Sequence, residues 1–209
     1  MRSFLCVFVD RDCDITTKGQ VRSDFAMYWD QITPENEGKW GSVEATRGQM
    51  NWAGVDRVHD FAKQHGLLFK QHTFVWGSQQ PGWLAGLSAS EQRKEVEEWI
   101  RLFCERYADV DIIDVVNEPP PHTTPAYMEA LGGAGASGYD WIVLSFKWAR
   151  QYCPEATLVL NDYNNIEYEP LFFRAHAHVQ SAGYCVEFRE LWARDRLVAL
   201  NQQTFAVLS

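Results

Sequence analysis

Short apolar runs alternate along the chain with longer stretches in which apolar residues recur every three or four positions. The runs are Phe4–Val9, Leu67–Val75, Asp111–Val116 and Thr157–Leu160, with a shorter one before Thr33. The first, second and last of the named runs are nearly continuous in apolar character, as in a parallel strand covered on both faces. Between them lie helical patterns. Val55, Val58, Phe61 and Ala62 fall on one face, with Asn51 placed to cap the start and Gly66 the end. Ser88 and Glu91 have the spacing of a capping box, ahead of a stripe of Val96, Trp99, Ile100, Phe103 and Tyr107. A third helix is predicted through YDWIVLSFKWARQY, with Trp141, Leu144, Trp148 and Tyr152 on one side.

Strand, helix and strand in this order predict right-handed βαβ units and a parallel sheet, either an open doubly wound sheet or a (β/α)₈ barrel. The strand ends separate the two. Counting Phe4–Val9 as the first strand, the second ends in Glu35 and Asn36, with Lys39 and Trp40 just beyond. The third carries His72 and Trp76, the fourth ends in Asn117 and Glu118, and the fifth in Asn161, Asp162, Tyr163 and Asn164. A barrel gathers such groups from every strand into one bowl, whereas an open sheet binds at a single switch point. The repetition favours the barrel.

Composition narrows the chemistry. Apolar residues make up 46%, enough for a substantial core, and the formal net charge of −9 argues against a nucleic-acid partner. Nine tryptophans suit sugar-stacking clefts as well as cores. An odd count of five cysteines without a close pair argues against both a disulfide framework and a zinc site, so buried free thiols are expected. Phe4–Val9 is too short for the core of a signal peptide, and no stretch reaches the ~20 apolar residues of a membrane span. Gly133, Gly135 and Gly138 satisfy G-x-G-x-x-G but follow no strand, so a loop opening a helix is expected there. His176 and His178 are two apart and would face different ways on a helix, which argues against a metal site.

Glu118 stands apart from the other candidates. Its carboxyl group emerges from the apolar run of Ile112, Ile113, Val115 and Val116, and Pro119, Pro120 and Pro121 stiffen the exit. Desolvation in such a place raises a carboxyl pKa, as a general acid needs. The alternative is a structural carboxylate paired with a nearby Lys or Arg.

The segments QITPENEGKW, KQHTFVWGSQQPGW, IIDVVNEP and LVLNDYN resemble, in order, the strand-end motifs of glycoside hydrolase family 10, the endo-β-1,4-xylanases. The resemblance implies an eight-stranded TIM barrel and a retaining double displacement on internal β-1,4 bonds of xylan, with no metal and no cofactor. It implies that Glu118 is the general acid/base and that Asn117 bonds the 2-hydroxyl of the sugar being cleaved. Glu35, Asn36 and Lys39 match the binding of the neighbouring xylose, and His72 and Trp76 match the floor and wall of the cleavage subsite. The partner implied is xylan or a xylo-oligosaccharide, with no nucleic acid and no membrane, and the location implied is extracellular, although no intact signal peptide is visible.

Two positions depart from the family pattern: Gly77 stands where a histidine commonly follows the tryptophan, and Gln71 stands where a glycine commonly precedes His72. The resemblance fades after Glu169. Residues 1–169 read as a partial catalytic barrel with about five of eight strands recognisable, and 170–209 as an unmatched tail of a truncated or frame-disrupted product. The nucleophilic carboxylate is expected beyond residue 209; Glu187 is a poor substitute, because no sixth strand is discernible between it and Glu118. The alternatives are an inactive xylan-binding fragment and a β-1,4-glucanase.

Overall fold

The protein is described here as a computed structural model, which covers residues 24–162, 179–180 and 182 and the backbone of Glu187–Glu190. Five strands form one parallel sheet in chain order: β1 (Gln31–Ile32), β2 (Leu68–Trp76), β3 (Ile112–Asn117), β4 (Thr157–Asp162) and β5 (Glu187–Glu190). A doubly wound sheet reverses its strand order at a switch point. No reversal occurs among the described strands, and this is the wall of a (β/α) barrel. The predicted first strand, Phe4–Val9, lies outside the described residues.

The helices are α1 (Phe25–Tyr28), α2 (Trp40–Val43), α3 (Ala53–His65), α4 (Ala89–Arg106) and α5 (Asp140–Tyr152). The stop and start signals act where the sequence puts them. Gly66 ends α3 in the left-handed conformation (φ 65°), and Ser88 and Glu91 form both halves of a capping box at α4. Asn51 does less than expected: Trp52 is the cap residue of α3, and the Asn51 side chain only accepts from Ala53 N at 3.3 Å.

The apolar stripe of α4 is buried against the sheet. Three of the nine tryptophans stack there, with Trp99 between Trp40 and Trp52 at interplanar angles of 4° and 8°. The Trp99 indole N–H donates to Phe74 O of β2 at 3.1 Å, so this ring is fixed to the sheet by a polar contact as well as by area. The glycine-rich segment is a loop ahead of α5, preceded by a 3₁₀ turn (Glu129–Leu131) and not by a strand. His176 and His178 lie outside the described residues.

Two expectations fail. Cys104 and Cys153 are not free thiols: they are disulfide-bonded, with Cα atoms 5.3 Å apart. The last turn of α4 packs beside the residue that ends α5, a meeting that a sequence separation of 49 does not reveal. Cys6, Cys13 and Cys185 lie outside the described residues. Closing a loop of that size stabilises by about 4 kcal/mol in the chain-entropy picture. Cys104→Ala with Cys153→Ala is therefore expected to lower stability by about 2–4 kcal/mol, read as a fall in denaturation midpoint that reductant does not deepen. An unchanged midpoint would mean that the bridge does not form.

The second correction concerns the tail. It contributes a parallel strand, β5, paired with β4 from Val159↔Glu187 to Asp162↔Glu190. With four residues and alternating charge it carries no apolar run to betray it. Glu187 begins this strand level with Val159, two residues before Asn161 on β4.

Candidate active site

Register brings the strand ends level, because Trp76 pairs with Asn117 and Asn117 with Asn161. Beneath that rim lies a buried charged trio. Lys70 and His72 on β2 both reach Asp114 on β3, Lys70 Nζ and His72 Nδ1 each 2.8 Å from Asp114 Oδ2. Asp114 is 0% exposed and Lys70 2%. Burial alone would push the Asp114 carboxyl up, but the Lys70 ammonium and the His72 ring hold it below the usual carboxylate range. Burial pushes the His72 imidazole down, against the opposing pull of Asp114. A neutral His72 then donates from Nδ1 to Asp114, fixing its tautomer and orientation.

The loop after β1 carries Glu35, Asn36 and Lys39. Gly38 lets it lie on β2, since a Cβ there would meet Gln71 Oε1 at 2.8 Å and Pro34 Cγ at 2.9 Å. The Gln71 amide in turn donates to Gly38 O, so this departure from the family pattern supports the loop. Lys39 is buried, donates to Asn36 Oδ1 at 3.0 Å, and lies 5.3 Å from the centre of a Trp76 ring. Burial lowers its pKa, while the nearby charges of Glu35, Glu37 and Glu118 act the other way. Glu35 is half-exposed and Asn36 exposed.

Glu118 is half-buried and has φ 46°, a left-handed conformation that costs a residue with a Cβ about 1–2 kcal/mol. Its N–H donates to Asn161 O at 2.8 Å, and its C=O accepts from Thr123 N at 3.0 Å and Thr123 Oγ1 at 2.6 Å. Its side-chain Oε2 accepts from the Trp76 indole N–H at 3.0 Å. Among the described residues the carboxylate accepts its hydrogen bond from an indole, and Lys39 acts on it only through charge. Asn117, fully buried, accepts from Asn161 Nδ2 at 2.6 Å, and its own Nδ2 has no hydrogen-bond partner among the described residues. The ring of His72 lies 6.1 Å from that of Trp76, completing one cluster.

Gly77 has a steric cause. A Cβ there would sit 2.7 Å from Thr124 N and 2.8 Å from Thr123 Cβ, so the loop after β3 occupies the space of any side chain. The rim loops interlock in series. Gly41 N donates to Gln79 O, Ala126 N donates to Gln80 Oε1, and the Tyr127 hydroxyl accepts from Trp76 N.

Of the seven predicted residues, Trp76, Asn117 and Glu118 lie at the rim, Lys39 and Asn36 stand beside Trp76, His72 sits below it, and Glu35 reaches the group only through its charge on Lys39. Sequence reasoning missed Lys70, Asp114 and Thr123. A charge inside an apolar strand, in LFKQH and IIDVVN, was the available signal for the first two. Among the described residues no group of three or more His, Cys, Asp and Glu is placed to hold a metal, and no helix is long and apolar enough to cross a membrane.

Sequential parallel strands thus raise a carboxylate, amides, an imidazole and an indole to one rim of a (β/α)-barrel wall. A model of glycosyl hydrolase family 10 matches residues 6–178, and the chain belongs to that family. It is 53% identical over 168 residues to endo-1,4-beta-xylanase B of Cellvibrio japonicus, a match covering 80% of this chain and 27% of that protein. The crystal structure of an endo-1,4-beta-xylanase from Caldicellulosiruptor owensensis superposes with a TM-score of 0.63 at 26% identity, over 76% of this chain and 50% of that one. A mutant solved in complex with xylotriose superposes at 0.65 and 25% identity, with the same coverage of both chains. The chain thus spans about a quarter to a half of the length of these relatives.

Proposed function

We propose that the chain carries the acid/base half of a site that cleaves internal β-1,4-xylosidic bonds of xylan with retention of configuration. The observation that carries this reading is the Trp76–Glu118 contact, flanked by Lys39 and Asn36 on one side and Asn117 on the other. The indole N–H on Oε2 leaves Oε1 to carry the proton to the glycosidic oxygen. A second carboxylate about 5–5.5 Å away attacks the anomeric carbon, and Glu118 then returns as base to activate water. That second carboxylate comes from outside the described residues. The Asn117 amide, unpartnered among the described residues, suits the 2-hydroxyl, and Asp114 fixes the orientation of the His72 ring beside Trp76. Residues 1–169 carry the site residues named here, and the segment 170–209 adds β5 to the same sheet. The Cys104–Cys153 bridge fits an oxidising compartment outside the cell.

Oligosaccharide binding by the purified chain tests the reading. Calorimetry is expected to give tighter binding of xylotriose than of cellotriose, and Trp76→Ala is expected to weaken xylotriose about tenfold, or ~1.4 kcal/mol. Equal affinity for the two sugars would move the substrate to β-1,4-glucan. Binding of neither would remove the sugar site.

A further inference from the structure

We propose that Thr123 is a positioning residue for Glu118, its hydroxyl closing a ring of four residues that sets where the carboxylate leaves β3. The proposal rests on the acid/base reading of Glu118 given above. Two ends of the ring are already joined by side chains, since the Trp76 indole N–H donates to Glu118 Oε2 at 3.0 Å. The Thr123 hydroxyl joins the other two: it donates to Glu118 O at 2.6 Å and accepts from Gly77 N, next to Trp76, at 3.3 Å. Thr123 N adds a second bond to the same carbonyl at 3.0 Å.

Glu118 needs such a clamp. With φ 46° it occupies a conformation that the backbone does not hold by itself, so bonds to its N–H and C=O decide whether the side chain points at Trp76. Of those bonds, the one from Thr123 Oγ1 alone is made by a side chain. It requires the loop after β3 to lie directly on β2, and the absent side chain of Gly77 permits that approach.

The test is the Trp76 indole N–H resonance in ¹H–¹⁵N spectra of the full chain, assigned with Trp76→Phe. Glu118→Ala removes the acceptor and gives the reference shift. Thr123→Val, which keeps the shape and loses the hydroxyl, is expected to move the resonance most of the way to that reference, whereas Thr123→Ser restores the wild-type position. In the Glu118→Ala background Thr123→Val is expected to add nothing. Should Thr123→Val lose its fold, Thr123→Ser and Gly77→Ala carry the comparison, the latter expected to displace the loop and reproduce the shift. A wild-type resonance in folded Thr123→Val overturns the proposal, as does an equal shift with Glu118 already gone. Xylotriose added to the same samples keeps the two readings apart: no sugar-induced change with the Thr123 effect intact overturns the substrate and leaves the clamp.

Discussion

Asp114→Asn is expected to lower the stability of the chain by about 3–5 kcal/mol, because it leaves Lys70 buried without its counter-charge. Lys70 and Asp114 have almost no contact with solvent, so water cannot replace the lost attraction. For a domain of this size that is a fall in Tm of roughly 10 °C. The wild type carries a pH signature of the same trio. Both His72 and Asp114 have pKa values depressed in the fold, from 6.5 and 3.8, so the unfolded chain binds protons more readily than the native one. Stability therefore falls as pH falls, the His72 part from about pH 6.5 downward and the Asp114 part from about pH 4 downward. Denaturant titrations across that range should lose the lower segment in Asp114→Asn. A loss of less than about 1 kcal/mol at neutral pH would show the trio to be no more than a surface-strength pair.

On the proposed acid/base reading, Glu118→Gln is expected to reduce cleavage of xylan by roughly 10²–10⁴-fold, the usual worth of a positioned general acid. Glutamine keeps the size of the side chain and still offers an oxygen to the Trp76 indole, so xylotriose affinity should hold. The size of the loss should depend on the leaving group. An aryl xyloside whose phenol departs without a proton escapes most of the penalty, while a sugar leaving group bears all of it. Reducing-sugar release measured beside aryl-xyloside turnover decides the matter. Equal losses on both would give Glu118 some role other than proton donation.

Much of this architecture was legible in the chain because each local signal had one physical meaning. Gly66 and the Ser88–Glu91 box end and begin helices whose apolar faces point to the sheet. The polar residues closing β2, β3 and β4 could only gather at one rim once the strands were parallel and in chain order. What stayed hidden depends on contacts between segments distant in sequence. Cys104 meets Cys153 only after α4 and α5 pack together, and Asp114 finds Lys70 only after β2 and β3 pair. Thr123 sits in a proline-rich loop with no periodicity to read. β5 lacks the apolar run that marked its neighbours and is held by pairing with β4 instead.

The serial clasp of the rim loops has a consequence for transplanting specificity. Barrel enzymes are often treated as a fixed wall carrying exchangeable loops, one per strand. In this chain the loop after β2 leans on the segment after β1 through Gly41 and Gln79, and on the loop after β3 through Gly77, Gln80, Thr123 and Ala126. A graft of the loop after β2 breaks its seat on both sides, and a graft of either neighbour breaks one seat. The unit of modular exchange is the three-loop block.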